Sequence, residues 1–152
     1  TFSTNYGKKK KRNIKFYKTS LKQKIINEKN ARKKLTRLIN VNFHKGDLFI
    51  TLTYAGEAPT LEQAKKDLQN FFRRVKRFRR KRGMAELKYI GVTESEDKRV
   101  HHHIIMSSMS MDDVNDLWGV GKVIMSRLTD DKDYTGIAKY ITKEPTKEFA
   151  RR

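Results

Sequence analysis

Between residues 60 and 82 the apolar side chains Ala64, Leu68, Phe71, Phe72, Val75 and Phe78 recur at helical spacing, and Arg and Lys fill the opposite side. Such a segment is an amphipathic helix whose apolar face must be buried against something. Thr60 and Gln63 have the spacing of a capping box at its start, and Gly83 is a natural stop. The neighbouring segments say what it packs on. Phe49-Ile-Thr-Leu-Thr-Tyr54 lies before it, and Leu87–Glu94, Arg99–Ser107 and Lys122–Leu128 follow. These runs are short, β-branched and aromatic, and they read as strands.

The remaining elements complete the order. Leu21, Ile25, Leu35, Leu38 and Ile39 predict a helix over 20–40, with Ser20 as its N-cap. Ser110 caps a short helix to Trp118, and Gly119-Val-Gly121 turns the chain. A last helix is expected from about Asp133 to Lys143, before Pro145. A helix, then β-α-β-β-α-β, then a helix predicts an α+β fold. Its centre is the split βαβ pattern of ferredoxin-like and RRM-like domains. The expected sheet is antiparallel, with helices on one face and the other face open for a metal and tyrosine site. Residues 1–19, with the run Lys8 to Arg12, read as a basic flexible tail, and 20–152 as a single domain. The chain opens on Thr1 rather than Met, the pattern of a processed or excised piece.

Lys and Arg number 36 against 17 Asp and Glu, a formal charge of +19. That excess predicts a polyanion as partner, nucleic acid before an anionic membrane surface. The absence of cysteine excludes disulfides, thiolate metal sites and cysteine nucleophiles, and fits a reducing cytoplasm. No run approaches the ~18 apolar residues of a membrane span, and no apolar region follows the basic N-terminus as in a signal peptide.

Three of the four histidines are consecutive, His101-His102-His103, inside a segment that otherwise reads as a strand. Side chains alternate along a strand, so His101 and His103 share a face about 7 Å apart along the chain. His102 points the other way, with Val100, Ile104 and Met106. Glu94 and Glu96 end the preceding strand of the same hairpin, and either offers the carboxylate of a two-histidine, one-carboxylate metal set. By ligand chemistry alone iron, zinc, manganese and nickel all fit. A bland polar patch on the sheet is the competing reading.

On the last helix Ile137, Ala138 and Ile141 form the apolar stripe. Tyr134 falls within it and Tyr140 at its edge, with Lys143 one turn on. A phenol of pKa ~10 is a weak nucleophile that a neighbouring cation favours as phenolate. Tyr140 with Lys143 is therefore a candidate nucleophile and helper, against the commoner reading of a core tyrosine.

These blocks resemble the His-hydrophobic-His (HUH) endonucleases, and within them the rolling-circle replication initiators of phages and plasmids. Phe49–Tyr54 is similar to their first conserved strand, Val92-Thr-Glu94 with His101-His102-His103-Ile-Ile to their metal strand pair, and Tyr140-Ile-Thr-Lys143 to their Tyr-x-x-Lys motif. The resemblance extends from about residue 20 to 145. It departs at His102, where the family has a hydrophobic residue. The resemblance implies a divalent cation, Mg2+ or Mn2+, held by Glu94, His101 and His103. It also implies that Tyr140 nicks single-stranded or hairpin origin DNA through a 5′-phosphotyrosine link, with Lys143 as helper, and admits a host or fused helicase as partner.

The basic side of the helix over 60–82 supplies candidate DNA contacts in Arg73, Arg74, Arg77, Arg80 and Lys81. Tyr54, Phe43 or Trp118 are candidates for stacking on unpaired bases, although core packing suits Trp118 better. His44 reads as a surface residue. Alternative readings are a single-tyrosine transposase or relaxase, a water-dependent nuclease with Tyr140 structural, and a non-catalytic RRM-like nucleic-acid-binding domain.

Overall fold

The structure, a computed structural model, describes residues 21–95, 99–129, 137–138, 141 and 148–151. The elements in order are α1 (Leu21–Asn42), β1 (Leu48–Leu52), α2 (Leu61–Lys81), β2 (Tyr89–Glu94), β3 (His101–Met106), α3 (Met111–Trp118), β4 (Val123–Arg127) and β5 (Glu148–Arg151). The strands form one sheet in the order β4-β1-β3-β2-β5. Every neighbouring pair is antiparallel. β3 thus lies between β1 and β2, the two strands joined by α2, which is the split βαβ arrangement expected. β5 was not foreseen, because Glu148-Phe-Ala-Arg151 carries no alternating apolar signal. It pairs with the outer edge of β2 and covers backbone groups that an edge strand would otherwise expose.

Alternation along the strands divides the core in two. Leu48, Ile50, Leu52, Ile104 and Met106 meet Leu68, Phe71, Phe72 and Val75 of α2 and Val114 and Trp118 of α3. Gly91 lies on this face too, where a Cβ would sit 3.1 Å from the Phe72 ring. On the opposite face Ile90, Val92 and Ile105 meet Leu35 and Ile39 of α1, with Phe43, Leu128, Ala138 and Ile141. α2 and α3 therefore share one face, as expected, while α1 and the helical residues 137, 138 and 141 cover part of the other.

The apolar stripe read along α1 is buried only in its second half. Leu35 and Ile39 are buried, but Ile25 is 48% exposed. The reason is length. Twenty-two helical residues span about 33 Å, whereas strands of five or six residues span about 17–20 Å, so the first turns overhang the sheet.

Helix ends follow the local signals in part: Ser110 precedes α3 in an extended conformation but makes no side-chain capping hydrogen bond. Thr60 caps α2 by accepting the Gln63 amide N–H at 3.2 Å. The reciprocal half of the capping box is not made, because Gln63 Nε2 donates to Asp67 Oδ1 at 2.9 Å instead. Gly83, at φ 64°, and Gly119, at φ 67°, follow α2 and α3 in the left-handed conformation that glycine adopts without a Cβ penalty. Gly121 is required for space: a Cβ there would lie 2.1 Å from the Thr53 carbonyl oxygen.

Candidate metal centre

Adjacent strands β2 and β3 pair Glu94 with His101 and Val92 with His103. The pleat turns Glu94, His101 and His103 to the face that carries Val92 and Ile105. Both imidazole Nε2 atoms reach the same carboxylate oxygen, Glu94 Oε2, at 3.1 Å from His101 and 3.0 Å from His103. The two Nε2 atoms are 3.0 Å apart. Glu94 and His103 are buried, and His101 is partly open.

The outer nitrogens orient the rings. His101 Nδ1 donates to the Arg99 carbonyl at 2.8 Å. A carbonyl only accepts, so the neutral ring carries its proton on Nδ1 and presents an Nε2 lone pair inward. Arg99 is itself tied down, its guanidinium donating to the carbonyls of Tyr54 and Gly56. His103 Nδ1 pairs with Thr51 Oγ1 at 3.2 Å, across the β1–β3 register that sets Thr51 opposite His103. The Phe49 ring stacks beside His103 at 6.4 Å between centroids.

This donor set could hold a metal ion. Lone pairs converging at 3.0–3.1 Å repel one another unless positive charge lies between them. One shared proton bridges one pair, whereas a cation bridges all three. Three side chains supply three ligand atoms, a two-histidine, one-carboxylate set that leaves further coordination positions for other ligands.

His102 occupies the opposite face, fully buried. Thr93 Oγ1 lies 2.8 Å from its Nδ1 and the Tyr54 hydroxyl 2.9 Å from its Nε2. Tyr54 in turn donates to Asp67 Oδ2 at 3.1 Å. The chain Thr93–His102–Tyr54–Asp67 leaves each ring nitrogen with a partner, which is how a histidine is accommodated in this apolar core. Burial, followed by the charge of Asp67 and the hydrogen bond to it, raises the Tyr54 pKa well above 10. Its phenol stays protonated, as a donor rather than a nucleophile.

Burial lowers the His102 pKa from 6.5 to about 4; Asp67 opposes this, and His101 and His103 reinforce it. A histidine that resists protonation when folded binds its proton more readily when unfolded. Its neutral burial is without penalty above pH 6.5, and stability is lost as pH falls from there towards 4. The shift corresponds to roughly 3 kcal/mol. Denaturant unfolding of the wild type and His102→Phe at pH 7, 5.5 and 4 should show the wild type losing about that much more. Parallel curves would mean that His102 carries none of the acid sensitivity.

The other expected site residues fall into separate places. Tyr140 and Lys143 lie outside the described residues, as do Tyr134 and the alternative ligand Glu96. Arg73, Arg74, Arg77, Arg80 and Lys81 are exposed on α2, across the sheet from the Glu94 cluster. Arg74 Nε donates to the Leu117 carbonyl at 2.9 Å and ties α2 to α3. Phe43 and Trp118 are buried, so neither is presented for base stacking, and Tyr54 packs edge-on against Trp118 at 5.2 Å. His44 is exposed, as expected. A feature missed in the sequence is the basic side of α1. Lys29, Arg32, Lys33 and Arg37 line a shallow cleft with Thr36, on the helix that packs over the metal face. Their regular Lys/Arg pattern was visible, but not which face of the sheet α1 would cover.

No helix among the described residues is long and apolar enough to cross a membrane. No curated protein and no solved structure matches the chain significantly. Residues 47–145, well over half of the chain, match the family of replication-associated proteins of the ORF2 type. That span begins one residue before β1 and takes in β1 to β4, the histidine–glutamate cluster and the Tyr140-Ile-Thr-Lys143 block. With the match and the three motif blocks in agreement, the chain belongs to this ORF2-type replication-associated protein family, a replication initiator family of rolling-circle type.

Proposed function

We propose that the chain is a metal-dependent endonuclease and strand-joining enzyme acting on single-stranded origin DNA, with Tyr140 as nucleophile. The observation that carries this reading is the convergence of Glu94 Oε2, His101 Nε2 and His103 Nε2 within 3.1 Å on one face of the sheet. Ala138 and Ile141, the described neighbours of Tyr140 in the sequence, are buried in the cluster with Val92 and Ile105 on that same face.

Glu94, His101 and His103 would hold the cation, which the resemblance to rolling-circle initiators makes Mg2+ or Mn2+. When bound, it supplies positive charge against the scissile phosphate. Arg99 and Thr51 keep the two rings oriented through their Nδ1 atoms. Lys29, Arg32, Lys33 and Arg37 of α1 offer backbone contacts on the metal side.

Tyr140 Oη attacks phosphorus and loses its proton. The bond from phosphorus to the 3′ oxygen breaks, and that oxygen takes up a proton to become a free 3′-hydroxyl able to prime synthesis. The DNA 5′ phosphate remains on the tyrosine, and Lys143 offsets charge at the phenol or phosphate. Because the phosphodiester energy is kept in that link, reversal rejoins the strand without a nucleotide cofactor.

The test is a denaturation-resistant adduct on labelled single-stranded DNA carrying the origin. The wild type should form it with Mn2+ and not with EDTA. Tyr140→Phe should bind the same DNA and form none. Cleavage with no adduct would identify a water-dependent nuclease, and binding with neither cleavage nor adduct would leave a binding module. An adduct that persists in Tyr140→Phe but disappears in Tyr134→Phe would move the nucleophile.

A further inference from the structure

The sheet separates the basic surface into two parts. α1 lies over the metal face, whereas α2 covers the other. At 100° per residue, Lys66, Arg73, Arg77 and Arg80 fall within about 60° of one another, directly opposite the buried stripe of α2. They span about 21 Å of helix. All four are exposed, and among the described residues none has a carboxylate within salt-bridge distance. With about 10 Å from sheet to helix axis and a helix radius of about 5 Å, this stripe stands some 15 Å behind the sheet. A phosphate at Glu94 and a phosphate at Arg77 therefore cannot belong to adjacent nucleotides.

The chemistry of the stripe also differs from that of a single-strand groove. Single strands are held by aromatic rings on which unpaired bases stack. Here the nearby rings already have their partners. The Arg82 guanidinium covers Phe78 at 3.6 Å. Tyr89 stacks on Phe72 at 3.8 Å, with Lys76 Nζ 5.3 Å from its centroid. What remains outward is charge in a line, which suits a polymer that turns its bases inward and its phosphates outward.

We infer that the Lys66–Arg73–Arg77–Arg80 stripe of α2 is a second DNA site, binding the backbone of a duplex segment without reading its sequence, while a single strand occupies the metal face. This rests on DNA as the ligand, as proposed above, but not on the nicking chemistry. The protein would grip the paired and unpaired parts of one DNA at once, from opposite sides of its sheet.

The experiment compares the wild type with the Arg73→Gln/Arg77→Gln/Arg80→Gln variant by fluorescence anisotropy, without metal, on a 25-base-pair duplex and on a 12-nucleotide oligothymidine. Circular dichroism checks that the exposed substitutions leave the fold intact. On the duplex, the slope of log affinity against log salt should fall by about 2–3, since each phosphate contact contributes ~0.9. Duplex affinity should drop roughly a hundredfold at 0.1 M salt, and oligothymidine affinity less than threefold. An equal loss on both probes would mean one shared track and overturn the second site. Unchanged duplex binding would reduce the stripe to a solvated face. A failure to form the tyrosine adduct leaves either binding result standing.

Discussion

His103→Ala is expected to abolish Mn2+ binding at the sheet and to lower DNA cleavage by about 10^3-fold or more. The side chain is almost fully enclosed and its Nε2 supplies one corner of the Glu94–His101–His103 triangle. Removing it leaves two donors and a buried carboxylate whose charge has lost a nearby imidazole. Thermal unfolding reads the metal directly. At a hundred times its Kd a bound ion adds about 2.7 kcal/mol to the stability of the wild type. For a chain of this length that is a rise in Tm of roughly 5–10 °C. The rise should vanish in His103→Ala and in Glu94→Gln, the latter keeping the shape but not the charge. Thr51→Val, which removes only the partner of His103 Nδ1, should weaken Mn2+ by about 10–100-fold. A variant lacking His103 that keeps the full Mn2+ shift would place the ion elsewhere.

Trp118→Ala should be the most damaging single truncation for stability, costing about 3–5 kcal/mol and lowering Tm by roughly 10–15 °C. The indole is 2% exposed and fills the junction of α2, α3 and β3. It packs edge-on to Phe71 at 5.9 Å, to Tyr54 at 5.2 Å and to His102 at 5.7 Å. Its Nε1 donates to the Thr53 carbonyl at 2.8 Å, next to the point where Gly121 closes on the same oxygen. Truncation opens a cavity and deprives that carbonyl of its indole donor. Trp118→Phe keeps most of the volume and should cost well under half as much. Equal stability of wild type and Trp118→Ala, measured by urea unfolding, would contradict this packing.

Both expectations concern opposite faces of the same strand. His103 points to the metal and His102 to the tryptophan, so β3 links the site to the core one residue at a time. A slip of one position in β3 would exchange their environments and bring His102 to the metal side. The partners of His102, Thr93 on β2 and Tyr54 following β1, hold the strand against such a slip.

The features legible in the sequence were those that repeat over a few residues. Short β-branched and aromatic runs and the period of 3.6 in α2 foretold the element order up to β4, the α+β class and the split βαβ core. Alternation alone put His101 and His103 on one face and His102 on the other. A hairpin turn of a few residues was enough to bring Glu94 beside them. Those patterns arise from backbone geometry and need no knowledge of distant neighbours. Only the tertiary structure decided which face each helix covers, because an amphipathic helix specifies that it must be buried but not on what. That decision placed the basic α1 on the metal side and the Arg73–Arg80 stripe behind the sheet, buried Phe43, left Ile25 overhanging, and gave Glu148–Arg151 an edge to join. Each depends on pairing between segments far apart in the chain, where no local period carries the information.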